Sequence, residues 1–528
     1  VNSNMTIPNI FRETVSNHPN ETALVFYDKK ITYQELSDLS SRFAFFLRDR
    51  NIKPGDRVAF LLPNCPQLVA GYLGALRAGC IAVSLNPLAT TDELSEMLDQ
   101  AQPKLLVTLK DFHKHNAVLC KIMPLKTEMM VVGLDDYLPW HLKLLYRLKN
   151  LRHSLPDETL RWRDIFWAKG CAASTHITPS DLAVLQFTGG TTGVSKAVML
   201  THSNLVNNAM QAMGSVGDAI TPASVFMGAI PFFHVYGLSV CMNIALAQGC
   251  SVVLTPRFNA KQVIRLMLKH KVTIFPGIPR MFSVMLKERE CAGLKEGPLQ
   301  LCFSGAGALD KDVKREFESG TGAKIVEGYG LSETSPIVSV NPIYGSRPGS
   351  LGLPVAGTEV KIVDGELLVR GPQVMAGYWD KPKETAEVLS RDGWFSTGDM
   401  VQMDKDGFLW LTDRKKDLIK TRGENVYPSE IEKVLTGYGM IQEAAVIGVP
   451  DRDLGERIVA FVTPLPMFQG RLKALNSQEI IMFCEKCLPA IKVPSCVIAV
   501  DELPKNILGK VLKKELRASF IKKTQNSP

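Results

Sequence analysis

Residues 187–202 read FTGGTTGVSKAVMLTH, with three glycines and three threonines packed into seven positions ahead of Lys196. Gly189, Gly190 and Gly193 let the backbone come close to an anion and turn its amides inward. The hydroxyls of Thr188, Thr191 and Thr192 add donors, and Lys196 adds a point charge. Together these residue types grip phosphate. A Walker loop would place the lysine directly after the last glycine, followed by Ser or Thr. Here Val194 and Ser195 intervene and Ala197 follows, so the stretch is not a P-loop by pattern.

Four further segments hold residues able to act on a bound polyanion. EGYGLSETSP (327–336) offers Glu333, a hard oxygen donor that has a physical reason to stand beside phosphates if a divalent cation bridges them. STGD (396–399) offers Asp399, and DRKKD (413–417) offers Arg414 and Lys416. LPKNILGKVLKKEL (503–516) offers Lys510, and AIPFFHVYGLSV (229–240) offers His234 among aromatics. Each alone has a plainer explanation. Glu333 could be a solvated carboxylate, Lys510 part of a solvated basic tail, and His234 a packed core residue.

Taken in order, these segments resemble the signatures of the adenylate-forming superfamily, whose members activate a carboxylate as an acyl adenylate. The opening stretch resembles T-S-G-T-T-G-x-P-K-G, with Gly189 for Ser, Ser195 for Pro and Ala197 for Gly. The second resembles Y-G-x-T-E, with Ser332 in the usual Thr place. CFSGAGALD (302–310) resembles the strand and loop beside adenine and substrate, and the C-terminal run resembles P-K-x-x-x-G-K. The resemblance covers essentially the whole chain and is greatest to bacterial long-chain fatty acid–CoA ligases.

The resemblance implies ATP, Mg²⁺ and coenzyme A as reactants or cofactors, with a medium-to-long-chain fatty acid as substrate. It implies Lys510, Lys196, Glu333 and His234 as the catalytic group, with Glu333 on the metal. Nucleotide contacts fall on Thr188, Gly189, Gly190, Thr191, Thr192, Gly193, Gly305, Ala306, Gly328, Tyr329, Gly330, Ser332, Asp399 and Arg414. The acyl pocket takes His234, Tyr236, Gly237, Gly305 and Gly330, with Gly237 leaving room for the chain. Lys416 matches a hinge, and Arg422 and Gly423 fall on the thiol side. Aryl-acid–CoA ligases, luciferase-like proteins and ligases that load an acyl carrier protein share these signatures. A degenerate nucleotide-binding scaffold is a further alternative, opposed by the retention of Lys196, Glu333, Asp399, Arg414 and Lys510.

The elements that must position these residues are legible in outline. At 528 residues the chain exceeds what one core organises. Apolar runs such as RVAFLL, CIAVSL, KLLVTL and LAVLQF alternate with helix-like stretches such as ATTDELSEMLDQAQ, which predicts α/β sheets over about the first 350 residues. Ligands then belong at strand ends. LSVCMNIALAQGCSVVL reads as a buried helix, a turn and a strand. After GSLGLPVAG (349–357) the pattern turns to short alternating strands, with Asp406-Gly407 as a hairpin turn. Ser429 and Glu432 read as a capping box. The expected architecture is an α/β N-terminal domain with a small β subdomain (1–413), a hinge (414–418) and a small mobile α+β domain (419–528).

Lys plus Arg, 61, against Asp plus Glu, 53, leaves a net charge of +8, which does not favour nucleic acid as a partner. Eleven scattered cysteines point to reduced thiols and a cytoplasmic setting, and Cys484 and Cys487 read as helix packing residues rather than a metal pair. The first twenty residues show no apolar core behind a basic head, so neither a secretory signal nor an anchor is expected there. Residues 138–154 carry Leu144, Leu145, Leu148 and Leu151 with Lys143, Arg147, Lys149 and Arg152 and no acid. That segment would suit peripheral contact with the cytoplasmic membrane face. A homodimer is left open.

Overall fold

The structure, a computed structural model, describes residues 5–110, 113–138, 143, 159–167, 176–188, 195–422, 424–451, 453–468, 475–505 and 509–525. Contacts divide the chain into two compact units. The first takes residues 1–190, 194–359 and 369–395, and the second takes 191–193, 360–368 and 396–528. The division therefore falls ahead of residues 414–418.

The first unit is a large α/β unit built on two mixed sheets. One runs in the order Gly377–Tyr378, Ala197–Thr201, Leu182–Phe187, Ile81–Ser84, Arg57–Leu61, Leu105–Leu109, Glu128–Val132 and Leu160–Arg161. Its central strands are parallel and continuously buried, as in LLVTL at 105–109, because helices cover both faces of such strands. The second sheet has nine strands, with Val225–Gly228, Ile274–Gly277, Leu301–Ser304 and Lys324–Gly330 parallel at its centre. Helix starts are fixed locally. Thr32 with Glu35, Thr90 with Glu93, and Thr201 with Asn204 form reciprocal caps that satisfy otherwise orphaned amides. The helices Tyr33–Asp49 and Pro66–Arg77 approach closely at Gly74, where a Cβ would lie 3.0 Å from Phe43 Cβ.

The stretch read as buried helix, turn and strand takes that form. Gly237–Asn243 winds as a π-helix, Ile244–Ala247 continues as α-helix, Gly249 turns at φ +75°, and Ser251–Leu254 is the strand.

The second unit is smaller and α+β. It takes most of a four-stranded sheet ordered Glu359–Val363, Glu366–Arg370, Phe395–Met403, Leu409–Arg414, whose last two strands pair antiparallel and turn at Gly407 with φ +85°. It also holds a five-stranded sheet built on Ile441–Asp451 and Gly455–Pro464. The helices Pro428–Thr436 and Ser477–Cys487 bury Ile431, Leu435, Ile480 and Cys484 against it, while Cys487 is exposed. Ser429 and Glu432 do not cap. The helix starts at Pro428, a residue suited to a first helical position because it has no amide to leave unsatisfied. The Ser429 hydroxyl instead donates to the Thr412 carbonyl at 2.6 Å, and Glu432 accepts from the Val446 amide at 2.8 Å. Both are tertiary contacts that local spacing could not reveal. Among the described residues, no helix is long and apolar enough to cross a membrane. The segment 138–154, expected to suit a membrane face, lies, apart from Leu138 and Lys143, outside the described residues.

Candidate active site

In the first unit, the strands on either side of the phosphate-type stretch pair antiparallel, with Phe187 opposite Ala197. Its mouth is clamped. The Thr188 amide donates to the Lys196 carbonyl at 3.0 Å, the Lys196 amide donates to Thr188 Oγ1 at 3.3 Å, and the Ser195 hydroxyl donates to the Thr188 carbonyl. A strand, Ala197–Thr201, follows the stretch in place of the helix that follows a P-loop. Thr188 and Lys196 are thus placed, while Gly189, Gly190, Thr191, Thr192 and Gly193 lie outside the described residues, as does Gly423.

Lys196 does not stand alone. Its Nζ lies 4.7 Å from the centroid of the Tyr378 ring, and the Tyr378 hydroxyl donates to Glu333 Oε1 at 2.9 Å. Burial and the adjacent carboxylate push the Tyr378 phenol well above its ordinary pKa, so it remains a donor. Glu333 sits in the short turn Ser332–Thr334, and its backbone carbonyl accepts from the Met375 amide at 2.8 Å. The sequence reading missed Tyr378. Its only signal was an aromatic pair after a glycine in MAGYWD, residues 375–380.

Other expected residues follow the ends of the nine-stranded sheet. Gly328, Tyr329 and Gly330 close the strand Lys324–Gly330, and Ser332 opens the Glu333 turn. Gly305 and Ala306 follow the strand Leu301–Ser304, and Ala306 holds φ +67°, a costly backbone for a residue with a side chain. A Cβ on Gly305 would lie 3.2 Å from the Tyr236 ring, whose hydroxyl sits 3.1 Å from the Gly277 carbonyl and 3.2 Å from that of Phe303. Glycine at 237 is required by the chain itself, since a Cβ would collide with the Pro231 carbonyl oxygen. Gly330 meets Pro336 in the same way. Backbone packing alone is therefore sufficient reason for glycine at both positions.

Three buried polar atoms have no hydrogen-bond partner among the described residues: Ser304 Oγ, His234 Nε2 and, on the eight-stranded sheet, Oε1 of Gln186, whose Nε2 donates to the Phe233 carbonyl at 2.8 Å. Such groups are rare enough in native interiors to require a cause, and a bound polar ligand is one. Burial pushes the His234 imidazole down to about 4, so it is neutral at pH 7 and one ring nitrogen acts as an acceptor.

In the second unit, Asp399 and Arg414 face each other across neighbouring strands, with Arg414 Nε 3.2 Å from Asp399 Oδ1. Asp399 is only 1% exposed. Lys416 lies in the turn Lys415–Asp417, and Arg422, in a left-handed conformation at φ +51°, donates its amide to Leu454. Lys510, half-buried, lies close enough to these groups to feel their charges. Burial first, then the positive charges of Arg414 and Lys416, push its ammonium down to about 7 against the opposing pull of Asp399 and Asp417.

Magnesium is the metal implied by the sequence signatures. Glu333 supplies a hard carboxylate held by Tyr378, which fits Mg²⁺, an ion commonly bound by one or two carboxylates together with waters and substrate phosphates. No trio of His, Cys, Asp or Glu side chains gathers around one point among the described residues, so the fit is to a metal carried largely by its nucleotide.

The AMP-binding enzyme family model matches residues 11–379, and the AMP-binding enzyme C-terminal domain model matches 430–510. The chain belongs to the AMP-binding enzyme family. Among its relatives, a long-chain-fatty-acid–CoA ligase of Bacillus subtilis is 40% identical, covering 97% of this chain and 94% of the relative. A 4-coumarate–CoA ligase of Arabidopsis thaliana is 30% identical, covering 93% and 88%. The fold is also that of ATP-bound MatB from Rhodopseudomonas palustris, with TM-score 0.84 and 30% identity over 98% of this chain and 99% of that one. This AMP-binding enzyme is an ATP-dependent, adenylate-forming ligase of the acyl-CoA synthetase type.

Proposed function

We propose that this enzyme joins a medium-to-long-chain fatty acid to coenzyme A through an acyl adenylate, releasing AMP and pyrophosphate. The observation that carries the nucleotide half is the Lys196–Tyr378–Glu333 array, a cation and a metal-type carboxylate fixed through one aromatic side chain. The acyl half is supported by the higher identity to the fatty-acid ligase than to the 4-coumarate ligase.

A carboxylate and ATP repel each other, so the site must offset the charge before a bond can form. The Lys196 ammonium holds phosphate charge, and Asp399 with Arg414 accepts from and donates to the ribose hydroxyls. Neutral His234 faces the acid without adding charge. Lys510, when cationic, bridges the acid oxygen and the α-phosphate. A carboxylate oxygen bonds to the α-phosphorus as the bond to the β-phosphate oxygen breaks, and pyrophosphate leaves with that electron pair. The thiol sulfur then bonds to the acyl carbon, the acyl–oxygen bond breaks, and AMP leaves with the pair while the thiol proton passes to solvent. Bound at Glu333, Mg²⁺ would neutralise phosphate charge.

The test is an acid panel assayed for AMP release with and without coenzyme A, spanning saturated chains of increasing length, 4-coumarate and benzoate. Turnover that is strongest with the longer alkyl chains and requires coenzyme A is expected. Preference for the aryl acids, or thioester formation only on a carrier protein, would replace the reading.

A further inference from the structure

We propose that Tyr378 is a positioning residue that fixes the Lys196 ammonium and the Glu333 carboxylate at one separation, so that a triphosphate and its divalent counter-ion are engaged together. The inference rests on the reading of Glu333 as the metal-side carboxylate and adds to it a residue that none of the sequence signatures singled out.

The backbone already builds a bridge at this place. The Ala376 amide donates to the Met199 carbonyl and the Trp379 amide to the Ala197 carbonyl, tying residues 376–379 to the strand Ala197–Thr201 that follows Lys196. The Met375 amide donates to the Glu333 carbonyl, tying the same segment to the Glu333 turn. Asn204 anchors it from behind, donating to the carbonyls of Pro372 and Val374, both at 2.8 Å. Gly377 holds φ +138°, open to glycine but strained for other residues, and this sets the direction in which Tyr378 leaves the chain. The Tyr378 amide is held by Thr385 Oγ1 at 2.9 Å. Its side chain then repeats the backbone bridge with chemistry at both ends, placing the ring face against Lys196 and the hydroxyl on Glu333.

The two ends do different work. A cation over an aromatic face is attracted by the ring quadrupole yet keeps its N–H donors for other acceptors, so Tyr378 can orient Lys196 without occupying it. A phenol donating to a carboxylate fixes its rotamer without neutralising it, the arrangement by which outer partners orient metal ligands. Phenylalanine at 378 would retain the first contact and lose the second. Leucine would lose both.

The experiment separates the contacts by two binding measurements on full-length protein. Affinity for metal-free ATP, measured in chelator, reports the Lys196 end. Binding of Mn²⁺ in the presence of ATP, read by the electron paramagnetic resonance of the free ion, reports the Glu333 end. Tyr378→Phe is expected to leave metal-free ATP affinity unchanged and to weaken Mn²⁺ binding by about 10-fold. Tyr378→Leu is expected to show the same metal defect and a further loss of roughly 2- to 5-fold in metal-free ATP affinity. Metal binding at the parental level in Tyr378→Phe, with Glu333→Gln defective, overturns the positioning role and leaves the function standing. Parental metal binding in Glu333→Gln overturns the reading beneath it. A lowered melting temperature in either Tyr378 variant with both affinities intact assigns Tyr378 to the fold alone and also overturns the role.

Discussion

Lys510 shows how one residue's surroundings set the conditions under which the enzyme can work. Its proposed task needs a cation, yet burial and the neighbouring Arg414 and Lys416 push its ammonium down to about 7, with Asp399 and Asp417 opposing. For acid-dependent pyrophosphate exchange, kcat/KM reports ionisations of the free enzyme and reactants. It should fall as pH rises through about 7 along a one-proton limb. Lys416→Gln removes one of the repelling charges and should move that limb to higher pH, measured on the same exchange assay. Lys510→Ala should abolish exchange while sparing thiolysis of a supplied acyl adenylate. Exchange at the parental rate in Lys510→Ala would remove Lys510 from the chemistry. The stability effect has the opposite sense. Between about 7 and the ordinary lysine range the unfolded chain binds more protons at this site, so the contribution of Lys510 to folding rises with pH.

At the scale of elements, most of what the sequence disclosed came from periodicity and most of what it hid came from contacts between distant segments. The continuously apolar strands and the Asp406-Gly407 turn were readable because a buried parallel strand and a tight hairpin impose local composition. Ser429 and Glu432 have capping-box spacing but serve Thr412 and Val446, partners 17 and 14 residues away. Tyr378 escaped notice for the same reason, since the turn it reaches lies 45 residues upstream. Gly237 was legible as a glycine that mattered, but its cause is backbone packing at the start of the π-helix Gly237–Asn243, a form associated with functional segments. This predicts a contrast between two Gly→Ala changes. Gly237→Ala drives a Cβ into the Pro231 carbonyl and should destabilise the first unit by about 1–3 kcal/mol, while raising KM for the acid through displacement of His234. Gly214→Ala, in the helix His202–Val216 with nothing within 4 Å of the added Cβ, should stabilise it by roughly 0.5–1 kcal/mol. Urea midpoints with acid KM values check both. Equal effects at the two positions would mean that the Pro231 contact carries no strain.

For the whole molecule, the net charge of +8 excluded little, whereas the order of five short signatures along 528 residues disclosed the family that the full-length matches show. What composition could not disclose is how the fold responds to acid, because that depends on which histidines are buried. Burial pushes His202 and His234, both in the first unit, down to about 4, against an ordinary value of 6.5. Between pH 6.5 and 4 the unfolded chain therefore binds protons that the folded unit refuses. Stability is complete above 6.5 and is lost as pH falls toward 4. Each shift corresponds to at most about 3 kcal/mol, so acidification alone can remove much of the usual margin of a folded unit. His202 serves no proposed chemistry and its Nδ1 has no hydrogen-bond partner among the described residues, which makes it the cleaner probe. His202→Gln, which cannot ionise, should flatten the fall in the first unit's urea midpoint between pH 7 and 4.5 relative to the parent, with the pH dependence of pyrophosphate exchange unchanged. A parental slope in that variant would show that carboxylates, and not this buried imidazole, set the acid limit of the fold.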